Sequence, residues 1–347
     1  MHKANDTGDD RGRAATEPQE VPARGWRDVL VRTVKEAKSD GVPLLAAGVA
    51  FYALLALAPA LTALSGVYSL VADPGEAARH VRDLLAAAPR EVREMVQEQL
   101  TTAAQREQGE AVLAVVIGTA LALWSASSGV QHLIQAINTA YDEDETRGFV
   151  KVRGLALGLS IAAIVFLALA VGAIALLPAA LADTALGEPT RIAIGILRWP
   201  ALAVAMVVAL GLLYRLAPDR DDPRWRWVGL GSIVATVLWL IGSGLFSLYA
   251  ANFGKYEDTY GALGGVVVVM LWLFLTAYVI VLGAELNAES ERQTAQDTTT
   301  GRRRPLGARE AAAADTVGPT AEQVKAGVPA GADVAPPAGS TRPSGST

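Results

Sequence analysis

Residues 154–182 read GLALGLSIAAIVFLALAVGAIALLPAALA, twenty-nine consecutive positions without a charged side chain. A helix needs about 20 mostly apolar residues to cross about 30 Å of hydrocarbon, so this stretch is long enough to span and tilt. Its Ala, Leu, Val, Ile and Gly run continuously, unlike the alternating segments of about ten residues that build membrane barrels. Only helices and closed barrels satisfy every backbone group in lipid, so the stretch reads as a transmembrane helix.

Working outward, windows 44–72, 111–131, 228–254 and 260–284 are also free of charge. A further window, 192–214, contains Arg198 and Pro200. An Arg near a span end can snorkel to the interface, so it does not veto the span. The expectation is an all-α integral membrane protein with a six-helix transmembrane bundle. Composition agrees: 52% of the 347 residues are apolar, 19% are charged, and the mean hydropathy is +0.31. Soluble domains carry about 45–50% apolar and about 25% charged residues. The net charge of −5 points to no particular partner and gives no sign of nucleic-acid binding. With no Cys and three scattered His (His2, His80, His132), disulfides, thiolate ligands, Cys nucleophiles and a His metal cage are all excluded.

Lys and Arg near the span ends set the orientation. Seventeen stand before the first span, in the loops between spans two and three and between four and five, and after span six, against seven on the other side. Both termini are therefore expected in the cytoplasm of a multi-pass chain. The first apolar run follows a polar stretch and is too long for a signal h-region, so an uncleaved first span is expected.

Residues 1–24 and 289–347 are rich in Ala, Gly, Pro, Thr and charge, and read as disordered cytoplasmic tails around a membrane domain at 25–288. The run Arg302–Arg304 is either solvated or near anionic headgroups. Loop 73–110 carries two amphipathic patterns, around Val81–Ala88 and Val92–Leu100, expected as external helices. Residues 27–40 read as an amphipathic helix leading into span one.

The one dense acidic cluster, Asp142 to Glu145, reads as a solvated loop, because four consecutive carboxylates point in several directions. No Gly-Lys-Ser/Thr phosphate loop, Gly-x-Ser-x-Gly elbow or His-Glu-x-x-His pair occurs, so no enzyme, metal or cofactor is expected. Polar residues in the spans are more informative, because burying them in lipid is costly. Ser127, Gln131 and Asn138 share one face of span two. Tyr52 lies in span one, where Pro59 is expected to kink the helix, Asn252 near the end of span five, and Glu285 and Asn287 at the end of span six. Two readings stay open for these groups: hydrogen bonds between helices, or a polar path that admits a substrate.

Several motifs occur in order: Ala50-Phe51-Tyr52-Ala53-Leu54-Leu55-Ala56-Leu57-Ala58-Pro59, Trp124-Ser125-Ala126-Ser127, Ala136-Ile137-Asn138-Thr139-Ala140-Tyr141 with Arg147, Leu216-Ala217-Pro218-Asp219, Tyr260-Gly261-Ala262-Leu263 and Gly283-Ala284-Glu285-Leu286-Asn287-Ala288. In these the chain, from about Trp26 to Ala288, resembles the YihY/BrkB family of bacterial inner-membrane proteins, long mislabelled ribonuclease BN. Ala217 departs from the family, which more often has Leu before Pro-Asp. The resemblance implies six helices with both ends cytoplasmic and no reaction; the family's association with envelope integrity implies lipid or amphiphile handling. The expectation is a passive or secondary transporter of a lipid or amphiphile, with membrane lipids as partners. Its path would be lined by Tyr52, Ser127, Gln131, Asn138, Asn252, Glu285 and Asn287. The alternative is a non-transporting scaffold that recruits envelope partners. Ribonuclease activity is not expected, and oligomeric state is not legible.

Overall fold

A computed structural model describes residues 9–71, 108–176, 187–260 and 262–333. Nine α-helices run through them: α1 (Ala23–Ser39), α2 (Val42–Val71), α3 (Gln108–Ala140), α4 (Phe149–Val171), α5 (Glu188–Leu216), α6 (Trp225–Tyr260), α7 (Ala262–Glu291), and the short α8 (Ala312–Asp315) and α9 (Ala321–Lys325). No strand is present among the described residues.

By length and composition, Phe149–Ile174, Glu188–Leu216, Trp225–Tyr249 and Gly264–Glu291 can each cross a membrane, and the bent pair Ala23–Ser39 with Val42–Leu57 makes a fifth. Windows 44–72 and 111–131 lie on α2 and α3, whose far ends include side chains outside those described. The window 192–214 falls within one unbroken helix despite Pro200. There the Arg198 guanidinium donates to the Ile174 carbonyl at 3.0 Å and lies 5.3 Å from the centre of the Trp199 ring. Helix α2 also continues through Pro59. The proposed external helices of loop 73–110 fall almost entirely outside the described residues.

Neighbouring helices pack in the sequence α4, α3, α2, α7, α6, α5, and α7 also meets α1 and α3. The centre of the arrangement is thus α7. The α1–α2 corner, the ends of α3, α5 and α7 and the starts of α4 and α6 gather at one end, called here the tail end, around Ile134, Ile137, Tyr141, Tyr214, Val228 and Ala284. A 61° bend separates α1 from α2. Gly41, at φ +65°, makes that corner with a backbone that L side chains rarely adopt.

The expectation of unstructured tails does not hold for residues 9–24 and 289–333. Helix α7 runs on to Glu291, and the chain after it folds back over the tail end. Residues 9–22 lie against that return: Arg13 donates to the carbonyls of Arg292 and Gly318, and Thr294 to that of Ala15. Small residues such as Ala313, Ala314 and Ala321 are buried, and Arg309 donates to the Gln296 and Ala295 carbonyls at 3.0 and 2.8 Å. Composition missed this because little of the order rests on apolar area. Polar groups and small side chains dock on a surface that the bundle has already built. Residues 1–8 and 334–347 lie outside the described residues.

Candidate functional site

The site at the tail end begins with α7, whose last turns carry Glu285, Asn287, Glu289 and Glu291, all fully buried. Four acidic or amide groups on an apolar helix need partners from neighbouring elements, because an unpaired buried charge costs several kcal/mol. Three of the four have them. Asn287 accepts from the Gly231 N–H at 2.7 Å and donates to the Val228 carbonyl at 3.2 Å, tying α7 to α6. Glu289 is held by Arg32 from α1 and by Arg292 Nη1 at 2.7 Å. Glu291 receives both Arg220 amino nitrogens, at 3.2 and 2.8 Å, and the Thr298 hydroxyl at 2.6 Å.

Arg32 is fully buried, although α1 reads as an ordinary amphipathic helix. It donates to Glu289, to the Glu289 and Pro319 carbonyls at 2.8 and 2.9 Å and to Gln293 Oε1 at 3.0 Å, while Leu30 and Val34 on the same helix are exposed. Arg292 also pairs with Asp142 and donates to Thr316. Burial alone would lower the Arg292 pKa, but Glu289 and Asp142 more than offset it and hold the guanidinium firmly charged.

Glu285 is the exception. It is fully buried and neither carboxylate oxygen has a hydrogen-bond donor. The charged groups around it are Asp40 at the α1–α2 corner, Glu36, Glu289 and Arg292. Asp40 Oδ2 and the Tyr141 hydroxyl are likewise buried without a hydrogen-bond partner. Burial, then the charges of Asp142 and Glu36, push the Asp40 carboxyl up to about 6.

Among the described path residues, Tyr52, Ser127, Gln131 and Asn138 bond elsewhere. Tyr52 stacks on His132, rings 4.2 Å apart at 20°. The Ser127 hydroxyl donates to the Trp124 carbonyl of its own helix at 2.9 Å. Gln131 accepts from Arg153 at 3.2 Å, and Arg153 lies 3.9 Å from the centre of the Trp124 ring. Asn138 clasps two loops, donating to Glu145 at 3.0 Å and accepting the Asp219 N–H at 2.8 Å. The Asn252 side chain lies outside those described. Asp40, Tyr141, Arg32, Arg153 and Arg292 were not legible as site residues. Asp40 did leave a trace, a carboxylate followed by Gly41 four positions before the first apolar window at 44.

Three carboxylates of the 142–145 cluster are engaged. Asp142 pairs with Arg292, Glu145 with Arg147, and Glu143 accepts the Ala312 N–H at 2.7 Å. No group of three or more His, Cys, Asp or Glu among the described residues is arranged to hold a metal ion. Burial pushes the Glu143 carboxyl up to about 7 against the opposing effects of the Ala312 N–H and Arg220. The folded protein then holds this proton more tightly than the unfolded chain. The stabilisation is full below about pH 4.5 and is lost as pH rises through about 7. Thermal unfolding midpoints in detergent should fall across that window, and Glu143→Gln should flatten this part of the slope; an unchanged slope would refute the assignment.

The family model described as Virulence factor BrkB matches residues 33–306, most of the chain. The chain belongs to the BrkB family. Among curated BrkB relatives, the ribonuclease-like protein YfkH of Bacillus subtilis is 35% identical over 179 residues, 49% of this chain and 63% of that protein. UPF0761 membrane proteins of Tolumonas auensis and Azotobacter vinelandii are 39% and 41% identical over 77 and 78 residues, 22% of this chain in each case and 25% and 19% of theirs. The chain thus spans less than two thirds of the length of each of these relatives. No solved structure matches. With its apolar helices, the BrkB assignment makes this an integral membrane protein.

Proposed function

We propose that this BrkB-family protein is a passive or secondary transporter of a lipid or other amphiphile, not an enzyme, in the bacterial plasma membrane. The excess of Lys and Arg beside the spans at the tail side supports a six-span arrangement with both termini, and hence the tail end, in the cytoplasm. The observation that carries the reading is Glu285: an ionisable side chain, fully buried at the end of a membrane-length helix, with both oxygens unpartnered. Such groups in membrane helices are costly, face the bundle interior and mark pathways. Arg32, Arg220 and Arg292 are committed to other carboxylates. A polar headgroup would therefore meet Glu285, Asp40 and Tyr141 rather than a closed lattice of ion pairs. The name of the Bacillus relative points toward RNA, but the engagement of Asp142, Glu143 and Glu145 in pairing and capping argues against a cleavage centre there.

The test puts purified protein into liposomes carrying fluorescent phospholipid and follows quenching by a membrane-impermeant reductant. Quenching should proceed beyond the outer-leaflet fraction, and Glu285→Ala should return it to the level of empty liposomes while the protein stays folded. Quenching that stops at the outer leaflet would remove phospholipid movement. A scaffold role would then be tested by deleting residues 73–110.

A further inference from the structure

Arg153 stands near the start of α4, one position before the charge-free window 154–182, and only 9% of it is exposed. Its partners on α3 are Trp124, Ser128 and Gln131, the last at the end of window 111–131. The residue thus sits where two apolar windows stop, the level at which headgroups and aromatic side chains meet in a membrane. All its hydrogen bonds go to neutral oxygens. Nη1 donates to the Ser128 hydroxyl and to Gln131 Oε1, both at 3.2 Å, and Nη2 to the Trp124 carbonyl at 3.1 Å. Among the described residues no carboxylate pairs with it, whereas the buried Arg32, Arg220 and Arg292 each hold one. A buried charge is costly unless an opposite charge meets it, and these side chains supply none.

The donors show which partner fits. A guanidinium has five N–H groups. On Arg153, Nε has no partner and Nη2 has one acceptor for its two hydrogens. Nε and Nη2 form one edge of the planar group, the kind of fork that takes two oxygens of a phosphate or carboxylate. The Trp124 ring covers the guanidinium, its centre 3.9 Å from Cζ, and is itself 61% exposed. Along the same face of α3, at spacings of three and four, Leu121 and Ile117 are exposed as well. An apolar strip therefore runs along the helix to a cation that no acidic side chain neutralises.

We propose that Arg153 and Trp124 form a binding site for the phosphate of an anionic phospholipid, with an acyl chain lying along Leu121 and Ile117. Ser128 and Gln131, both on Nη1, orient the guanidinium, and the exposed Trp124 ring is the cover that turns aside to admit the headgroup. Nε is shielded from water, which strengthens a charge-assisted bond once it is made. A headgroup with net negative charge neutralises the site, while a zwitterionic one brings a second cation beside Arg153. The site shares no residue with the surroundings of Glu285, so it stands whether or not lipid moves between leaflets.

Native mass spectrometry of the full chain, released from micelles containing phosphatidylglycerol or phosphatidylcholine, counts the lipids retained. Wild type should keep one phosphatidylglycerol per chain and hold it about tenfold more tightly than phosphatidylcholine, the worth of a charge-assisted hydrogen bond. Arg153→Gln should abolish this preference and Arg153→Lys should keep part of it. Trp124→Leu, at an exposed position, should weaken retention with the fold intact, so the proposal is tested even if Arg153→Gln does not fold. Lys151→Gln changes an exposed cation two residues away and should leave the preference unchanged. An equal loss there would mark diffuse surface charge and overturn the proposal. Excess inorganic phosphate at constant ionic strength should leave the lipid bound; displacement would mark a site for soluble anions instead. Wild type without a preference for phosphatidylglycerol would overturn the proposal without any variant.

Discussion

Arg32→Met should lower the stability of the protein in detergent by about 3 kcal/mol and release the C-terminal segment from the tail end. Removing one member of a buried ion pair costs about 3–5 kcal/mol, because its partner stays buried without compensation. Here the lower figure applies, since Arg292 still holds the other oxygen of Glu289 at 2.7 Å. Met leaves the Glu289 and Pro319 carbonyls and Gln293 Oε1 without their donor. Of these, the Pro319 contact ties the returning chain to α1. Limited proteolysis should then cut between residues 316 and 327, where wild type is protected. Arg32→Lys should fall in between, because one ammonium cannot reach acceptors spread around a planar guanidinium. In Arg32→Met with Glu289→Leu, only part of the lost stability should return, since the uncompensated carboxylate is gone but Arg292 is left with Asp142 alone. Wild-type melting and protection in Arg32→Met would refute the account.

Gly231→Ala should cost a similar amount, about 3 kcal/mol, at the upper end of what overpacking a tight contact costs. A Cβ on Gly231 would overlap the Gly283 carbonyl oxygen and stand 2.5 Å from Asn287 Oδ1. The first is backbone and cannot rotate away, and the second belongs to the amide that bonds the Gly231 N–H. Helices α6 and α7 would have to separate just where Tyr214 donates to the Ile280 carbonyl at 2.8 Å. The control lies two residues earlier. A Cβ on Gly229 meets nothing within 4 Å, so Gly229→Ala should be neutral or stabilising by up to about 1 kcal/mol, the helical preference of Ala over Gly. Thermal unfolding and monodisperse yield should separate the two variants, and equal behaviour would show that the α6–α7 approach is not tight.

The helices were legible because lipid imposes a one-dimensional rule. A window either is apolar enough to cross or it is not, and the windows at 154–182, 192–214, 228–254 and 260–284 each locate one long helix (α4 to α7). Even the window interrupted by Arg198 and Pro200 could be read, since snorkelling and a tolerated Pro are local effects. The polar side chains were a different problem. Ser127, Gln131 and Asn138 share a helical face, yet one bonds its own backbone, one an arginine from α4 and one two loops. Their period on α3 says which way they point and nothing of what they meet. The tails misled for a related reason. Their order comes from Arg32 and Arg13 reaching carbonyls far away in the chain and from Arg309 bonding carbonyls within the returning segment, terms that apolar content does not register.

By itself, then, the sequence determined the class of protein, the places where its long helices run and the family to which it belongs, since hydropathy and ordered motifs are local properties of the chain. Only the tertiary structure decided which buried charges are satisfied. Glu285 and Glu289 stand one turn apart on the same helix and look alike in sequence. Glu289 is paired with Arg32 and Arg292, while neither oxygen of Glu285 has a hydrogen-bond partner. The difference is set by how the α1–α2 corner and the end of α3 pack against α7, and that three-body arrangement has no signature in any single stretch of residues.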